Sequence, residues 1–272
     1  MAFSIDSDFF SGEYFKLKKN HYNNLSVCLF KRGGMLNFVI AVHVLGIYVI
    51  FAILLFPFYF FSRGRRLGGI FLRSSSRLLM KIFRVTCDTE GLENIDPQET
   101  YFVAANHQSI ADIPIICAVL PLNMRILAKK ELFKIPIFGQ TLLLYDFVAV
   151  DRRNKRSAVS TLKLVEKKMK FCSFLVFPEG TRTKDGHVGQ FKSGALFLTE
   201  NGCKILPVAI TGLDKIMRRD SFAIRSGHVK IKIFPPTTIG GNEDRHELAQ
   251  RLQTMISDYV EKNQFADKNG KV

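Results

Sequence analysis

The sequence predicts an α/β fold, a mixed, mostly parallel sheet flanked by helices and preceded by an N-terminal membrane-associated helical segment. Three observations carry this. Short apolar runs of strand length recur at residues 101–105, 125–128, 147–150, 174–177, 205–210 and 229–234. Helix-period segments stand between several of them, as in βαβ units. Upstream, residues 36–61 form an almost uninterrupted apolar stretch, longer than the roughly 20 residues a spanning helix needs.

Residues 1–30 are polar and aromatic without clear periodicity, and no function is assigned to them. Residues 31–84 read as a membrane anchor followed by an interfacial helix. Only Asn37 and His43 interrupt the apolar run markedly, and it begins too far from Met1 to be a signal-peptide core. Lys31 and Arg32 precede it and Arg63, Arg65 and Arg66 follow it, so the positive-inside rule only weakly favours a cytoplasmic face for what comes after. A buried core helix and a surface-embedded helix remain alternatives. In the next segment Arg66, Arg73, Arg77, Lys81 and Arg84 fall within roughly an 80° sector of a helical wheel, with Leu67, Phe71, Leu72, Leu78, Leu79, Ile82 and Phe83 largely opposite. That pattern predicts a helix lying in the membrane interface. The alternative is a solvated basic face over the protein's own core.

Residues 85–262 are expected to form the catalytic domain and 263–272 a polar tail. Residues 113–120 read as a helix. In the segment 155–170, Val159, Leu162, Val165 and Met169 make an apolar stripe, and a last amphipathic helix is expected over about 244–261.

The chemistry concentrates in two motifs. Asn106-His107-Gln108-Ser109-Ile110-Ala111-Asp112 puts an imidazole and a carboxylate at H-x4-D spacing directly after the first apolar run. In a continuous helix positions five apart point roughly 140° away from each other, so the pair fits a strand-to-helix turn better than mid-helix. Open α/β sheets bind ligands at the carboxyl ends of their strands. His107 is therefore a candidate base and Asp112 the acid that orients it. A capping box from Ser109 to Asp112 is the structural alternative. The second motif, Pro178-Glu179-Gly180-Thr181-Arg182, follows the run at 174–177 in the same way.

Composition narrows the classes further. The net charge of +15 calls for an anionic partner or surface. Its clustering beside an apolar run, rather than among exposed aromatics, points to lipid and away from nucleic acid. The five cysteines are odd in number and form no C-x-x-C pair, so neither a disulfide framework nor a zinc site is expected. Cys117 competes as a nucleophile, but an apolar helical run disfavours a thiolate. With H-E-x-x-H and a Walker-type loop both absent, no metal and no nucleotide cofactor are expected.

Taken together the motifs resemble the glycerolipid acyltransferases of the type that acylate lysophosphatidic acid, marked by N-H-x4-D and F-P-E-G-T-R blocks. Further blocks agree in order over roughly residues 85–240: Ala128-Lys129-Lys130-Glu131-Leu132, Phe147-Val148-Ala149-Val150-Asp151-Arg152, Phe191-Lys192-Ser193-Gly194-Ala195 and Leu206-Pro207-Val208-Ala209-Ile210. The resemblance implies transfer of a fatty acyl chain from acyl-CoA or acyl carrier protein to the sn-2 hydroxyl of lysophosphatidic acid, giving phosphatidic acid. The thioester is a co-substrate and no cofactor is implied. Another acceptor is the alternative: a lyso-ornithine lipid, another lysophospholipid or glycerol 3-phosphate. His107 would then be the general base, with Asp112 holding its tautomer. Glu179, Gly180, Thr181 and Arg182 would bind the acceptor, Arg182 as the main phosphate ligand and Glu179 positioning Arg182 or an acceptor hydroxyl. Lys129 and Arg152 would add positive charge to the same pocket, although on sequence alone a surface salt bridge explains each as well. The implied partners are membrane lipids, the thioester donor and the lysophospholipid acceptor, with the catalytic domain at the cytoplasmic face of a membrane.

Overall fold

A computed structural model of the chain describes residues 67–136, 138–150, 155–196, 202–217, 224–240 and 242–264. The apolar stretch at 36–61 and Arg152 lie outside them. Among the described residues no helix is long and apolar enough to cross a membrane.

These residues fold around a seven-stranded sheet. Its strands are β1 (Val85–Glu90), β2 (Phe102–Ala105), β3 (Met124–Lys129), β4 (Val148–Val150), β5 (Ser173–Val176), β6 (Ile205–Thr211) and β7 (Gly227–Ile233). The spatial order is β1-β7-β6-β2-β5-β3-β4. The strands from β2 to β6 in sequence run parallel, β7 is antiparallel to β6, and β1 runs parallel to β7. The sheet is thus mixed and mostly parallel, as expected. Its centre is β2, where Phe102 pairs with Phe174 on one side and Ile205 on the other. All four β2 residues are fully buried, which explains why this strand reads as a continuous apolar run instead of an alternating one.

The helices are α1 (Leu67–Ile82), α2 (Asp112–Val119), α3 (Phe138–Leu144), α4 (Lys155–Met169), α5 (Leu213–Ile216) and α6 (Arg245–Gln264). They sandwich the sheet between two cores. Val103 and Ala105 of β2 face one, with Leu72 of α1, Ile115 and Ile116 of α2 and Leu213 of α5. Phe102 and Ala104 face the other, with Val165 of α4 and Leu248, Leu252 and Ile256 of α6. The start of α6 is fixed by a reciprocal cap. Asp244 Oδ1 accepts from the backbone N–H of His246 and Glu247, and Glu247 Oε2 accepts from that of Asp244. Its far end runs past the expected domain limit at 262, and Gln264 is buried there.

Two members of the basic stripe of α1 bond to the domain itself, while Lys81 and Arg84 stay exposed. Arg73 donates to the carbonyls of Leu120 and Leu122, and Arg77 Nε donates to Ala118 O at 3.1 Å. The carboxyl end of α2 leaves carbonyls unpaired and carries the negative end of its dipole, so it captures the guanidiniums. Leu72 and Ser76 are buried on this side, whereas Ile70 and Ile82 are each 61% exposed and Leu78 and Leu79 also face outward. A wheel shows that one side is basic and one apolar. The docking partner decides which side is covered. Gly69 explains how close the helix comes: a Cβ there would lie 2.0 Å from Asn123 Oδ1. Gly69→Ala is therefore expected to push α1 off the domain and destabilise it by about 1–3 kcal/mol, readable as a lowered thermal midpoint.

Candidate active site

Because β2, β5 and β3 are parallel neighbours, the segments leaving their carboxyl ends meet at one edge of the sheet. His107 follows β2, the Pro178–Arg182 turn follows β5, and Lys129 ends β3. The two halves of the H-x4-D motif lie on either side of a strand-to-helix turn, as the spacing predicts, and α2 begins at Asp112 itself.

Asn106 opens the turn. Its side chain donates to Ile210 O at 2.9 Å and accepts from Ile210 N–H at 2.8 Å. An amide side chain thereby continues the pairing with β6 where the β2 backbone leaves the sheet, and the departing chain delivers His107 to the edge. The ring stacks on Phe177, with centroids 4.0 Å apart and planes 16° from parallel. Its Nδ1 lies 2.6 Å from Asp112 Oδ2. The same carboxylate oxygen accepts from the backbone N–H of Gln108 at 2.7 Å and of Ser109 at 3.0 Å. Asp112 therefore caps the turn and holds the imidazole at once, so the structural and catalytic readings of the motif coexist. A carboxylate partner places the proton on Nδ1 and leaves Nε2 as the acceptor. The His107 side chain keeps 16% of its surface exposed, against none for Asp112. Burial raises the Asp112 carboxyl above the usual range, and the bond and charge of His107 act against that rise.

The second motif wraps the same histidine. Glu179 Oε1 accepts from the His107 N–H at 2.6 Å, and the His107 carbonyl accepts from Thr183 N–H at 2.8 Å. Both backbone polar groups of His107 are thus held by the turn that carries Arg182. Gly180 gives that turn its left-handed residue, φ +72°. Arg182 is half-buried and Thr181 exposed.

Glu179 is only 6% exposed. Both of its oxygens are engaged by backbone, since Oε2 accepts from Gly189 N–H at 2.9 Å. Burial raises its carboxyl, while the two N–H donors lower it. This geometry makes it a clamp between His107 and the loop at Gly189. A Cβ on Gly189 would stand 2.9 Å from Glu179 Oε2. Glu179→Gln turns one of the two acceptor positions into a donor facing a buried N–H. We expect it to cost about 1–3 kcal/mol of stability and to lower kcat with the acceptor KM little changed. A KM rise with kcat unchanged would instead mark a direct acceptor ligand.

Lys129 is half-buried at the same edge and forms an ion pair with Glu131 at 3.7 Å. Arg152 lies outside the described residues. Cys117 is buried in α2 and its thiol is pushed up to about 12 by burial, which disposes of it as a nucleophile near neutral pH. Asn106 and Gln108 stood in plain view within the motif, but their side-chain roles depend on Ile210 and the carboxyl end of α6, far away in sequence.

The model of the acyltransferase family matches residues 86–211, the segment that carries both motifs. The chain is 32% identical over 189 residues to the 1-acyl-sn-glycerol-3-phosphate acyltransferase of Helicobacter pylori, an alignment covering 66% of this chain and 78% of that protein. It is 28% identical over 204 residues to the coconut (Cocos nucifera) protein of the same name, covering 73% of this chain and 66% of the relative. The chain belongs to the glycerolipid acyltransferase family. Its fold is similar to that of the 1-acyl-sn-glycerophosphate (LPA) acyltransferase PlsC from Thermotoga maritima, with TM-score 0.69 and 27% identity, covering 81% of this chain and 92% of that one. The matched region spans between 44% and 66% of the length of five plant relatives.

Proposed function

We propose that this protein transfers a fatty acyl chain from a thioester, carried by coenzyme A or acyl carrier protein, to the sn-2 hydroxyl of lysophosphatidic acid, forming phosphatidic acid. The observation that carries this reading is the His107–Asp112 pair held at 2.6 Å inside the turn that bears Arg182. The names of the relatives supply the substrate class. His107 Nε2 takes the proton of the acceptor hydroxyl as its oxygen attacks the thioester carbonyl. Asp112 stabilises the imidazolium that forms. Collapse of the tetrahedral intermediate breaks the C–S bond, and the proton passes from His107 to the departing thiolate. The alcohol is the nucleophile throughout, so no acyl-enzyme forms.

Arg182 grips the acceptor phosphate as a bidentate donor, Thr181 offers a hydroxyl beside it, and Lys129 and Arg152 add positive charge at neighbouring strand ends. The acceptor and product stay in the bilayer, which suits a catalytic domain held against the cytoplasmic face of a membrane by residues 31–84. The outward apolar residues of α1, Ile70, Leu78 and Ile82, support that placement.

The test is an assay of wild type and His107→Ala in detergent micelles with labelled acyl-CoA and lysophosphatidic acid, following phosphatidic acid. Formation of product by the wild type alone supports the reading. Equal turnover by both proteins overturns it. In the same assay Arg182→Ala is expected to raise the lysophosphatidic acid KM by roughly ten- to a hundredfold, the loss of a charged hydrogen bond, while the KM for the acyl donor stays put.

A further inference from the structure

The residue after His107 is tied to the last residue of α6. Gln108 is 2% exposed and Gln264 6% exposed. Gln108 Oε1 accepts from the backbone N–H of Leu213, at the start of α5, at 3.2 Å. Gln108 Nε2 donates to Gln264 Oε1 at 2.5 Å. The orientation of both amides follows from donor and acceptor rules alone. A backbone N–H can only donate, so the Gln108 oxygen must face Leu213, its nitrogen must face Gln264, and Gln264 must present oxygen. The main chain of Gln108 completes the connection, since its N–H donates to Asp112 Oδ2, the oxygen that holds His107 Nδ1.

We infer that Gln264 is a positioning residue for the catalytic histidine, acting through Gln108 and Asp112. The inference rests on His107 being the base proposed above. Gln264 makes the carboxyl end of α6, remote from both motifs in sequence, part of the frame that fixes the H-x4-D turn. The Gln108 side chain is held at both ends, by Leu213 and by Gln264, so its backbone N–H is kept in register with Asp112. Without Gln264 the buried Gln108 amide loses its acceptor and the turn shifts to find another. Misplacing a base by a fraction of an ångström is costly in rate and leaves substrate affinity largely intact.

Two near-isosteric substitutions in the full-length protein separate this role from simple packing. Gln264→Glu keeps an acceptor for Gln108, and Gln264→Leu keeps the apolar volume and removes the acceptor. Positioning predicts that Gln264→Leu lowers kcat by roughly ten- to a hundredfold with both KM values within about twofold, whereas Gln264→Glu stays close to wild type. Packing alone predicts the reverse order, because leucine suits a buried site better than a carboxyl group. Combining Gln108→Leu with Gln264→Leu should cost no more than the worse single change. Hydrogen exchange of the peptide covering 106–112 reads the same linkage without substrate: it should quicken in Gln264→Leu and not in Gln264→Glu. Wild-type kcat in Gln264→Leu, or equal impairment in both variants, overturns the inference. If His107→Ala keeps wild-type activity, the reading of the base fails and this inference falls with it. A dead His107→Ala beside a fully active Gln264→Leu sinks the inference alone.

Discussion

Replacing His107 with alanine is expected to lower kcat by roughly 10²–10⁴-fold, the usual contribution of a positioned general base. At about 1.36 kcal/mol per factor of ten this removes about 3–5 kcal/mol of transition-state stabilisation. The structure fixes the character of the loss as well as its size. The side chain stacks on Phe177 and bonds Asp112, while the backbone N–H and C=O are held by Glu179 and Thr183 whatever the side chain. The turn should therefore survive the substitution, with Arg182 still in place. The acceptor KM and the thermal midpoint are expected to change little while kcat collapses. A parallel rise in KM would mean that the ring binds the acceptor in the ground state.

Asp112 should separate charge from geometry. Three donors, His107 Nδ1 and the N–H groups of Gln108 and Ser109, converge on Oδ2, and the buried Oδ1 has no partner among the described residues. In Asp112→Asn the amide oxygen can take the place of Oδ2, so all three bonds and the Nδ1-H tautomer survive. The negative charge is lost, and the imidazolium formed during proton transfer loses its counter-ion. Activity is expected to fall by roughly a hundredfold or more, with modest loss of stability. Asp112→Ala removes the acceptor altogether. Two buried backbone N–H groups and the ring N–H are left unpaired, at about 1–3 kcal/mol each. This variant should lose both activity and several degrees of thermal midpoint. Equal thermal midpoints for Asn and Ala would show that the turn holds itself together without the carboxylate.

Much of this site was legible because its parts are local. A strand running into H-x4-D can be recognised from an apolar run and the spacing of two side chains. The same holds for the run that leads into Pro178-Glu179-Gly180-Thr181-Arg182. Strands β2 to β7 fall at or beside the expected runs, since inner strands such as β2 and β6 are buried on both faces and read as apolar runs, while in β7 Val229, Ile231 and Ile233 alternate with more exposed residues. Strand β1 escaped notice. Its Val85-Thr86-Cys87-Asp88-Thr89-Glu90 alternates half-buried and exposed residues at the sheet edge, and a strand that is half polar gives a weak pattern. Helix α3 was missed as well, because seven residues are too few to display a helical period.

The sequence by itself determined the fold class, the family and the pairing of His107 with Asp112 to which we assign the proton chemistry, because each is written in a short segment whose order and spacing survive folding. Only the tertiary structure decided how those residues are held. Glu179 read as positioning Arg182 or an acceptor hydroxyl, and nothing in the sequence pointed to the His107 and Gly189 backbone groups that its two oxygens engage. The basic stripe of α1 read as the polar face of an interfacial helix, and only the packed structure put two of its members, Arg73 and Arg77, on the carbonyls at the end of α2. Gln264 lay in an expected tail until it was found against Gln108. The reason is common to all three. A side chain's hydrogen-bonding capacity is fixed by its residue type, but its partner is a backbone group or an amide brought close only when distant segments pack, and no local pattern records which one that is.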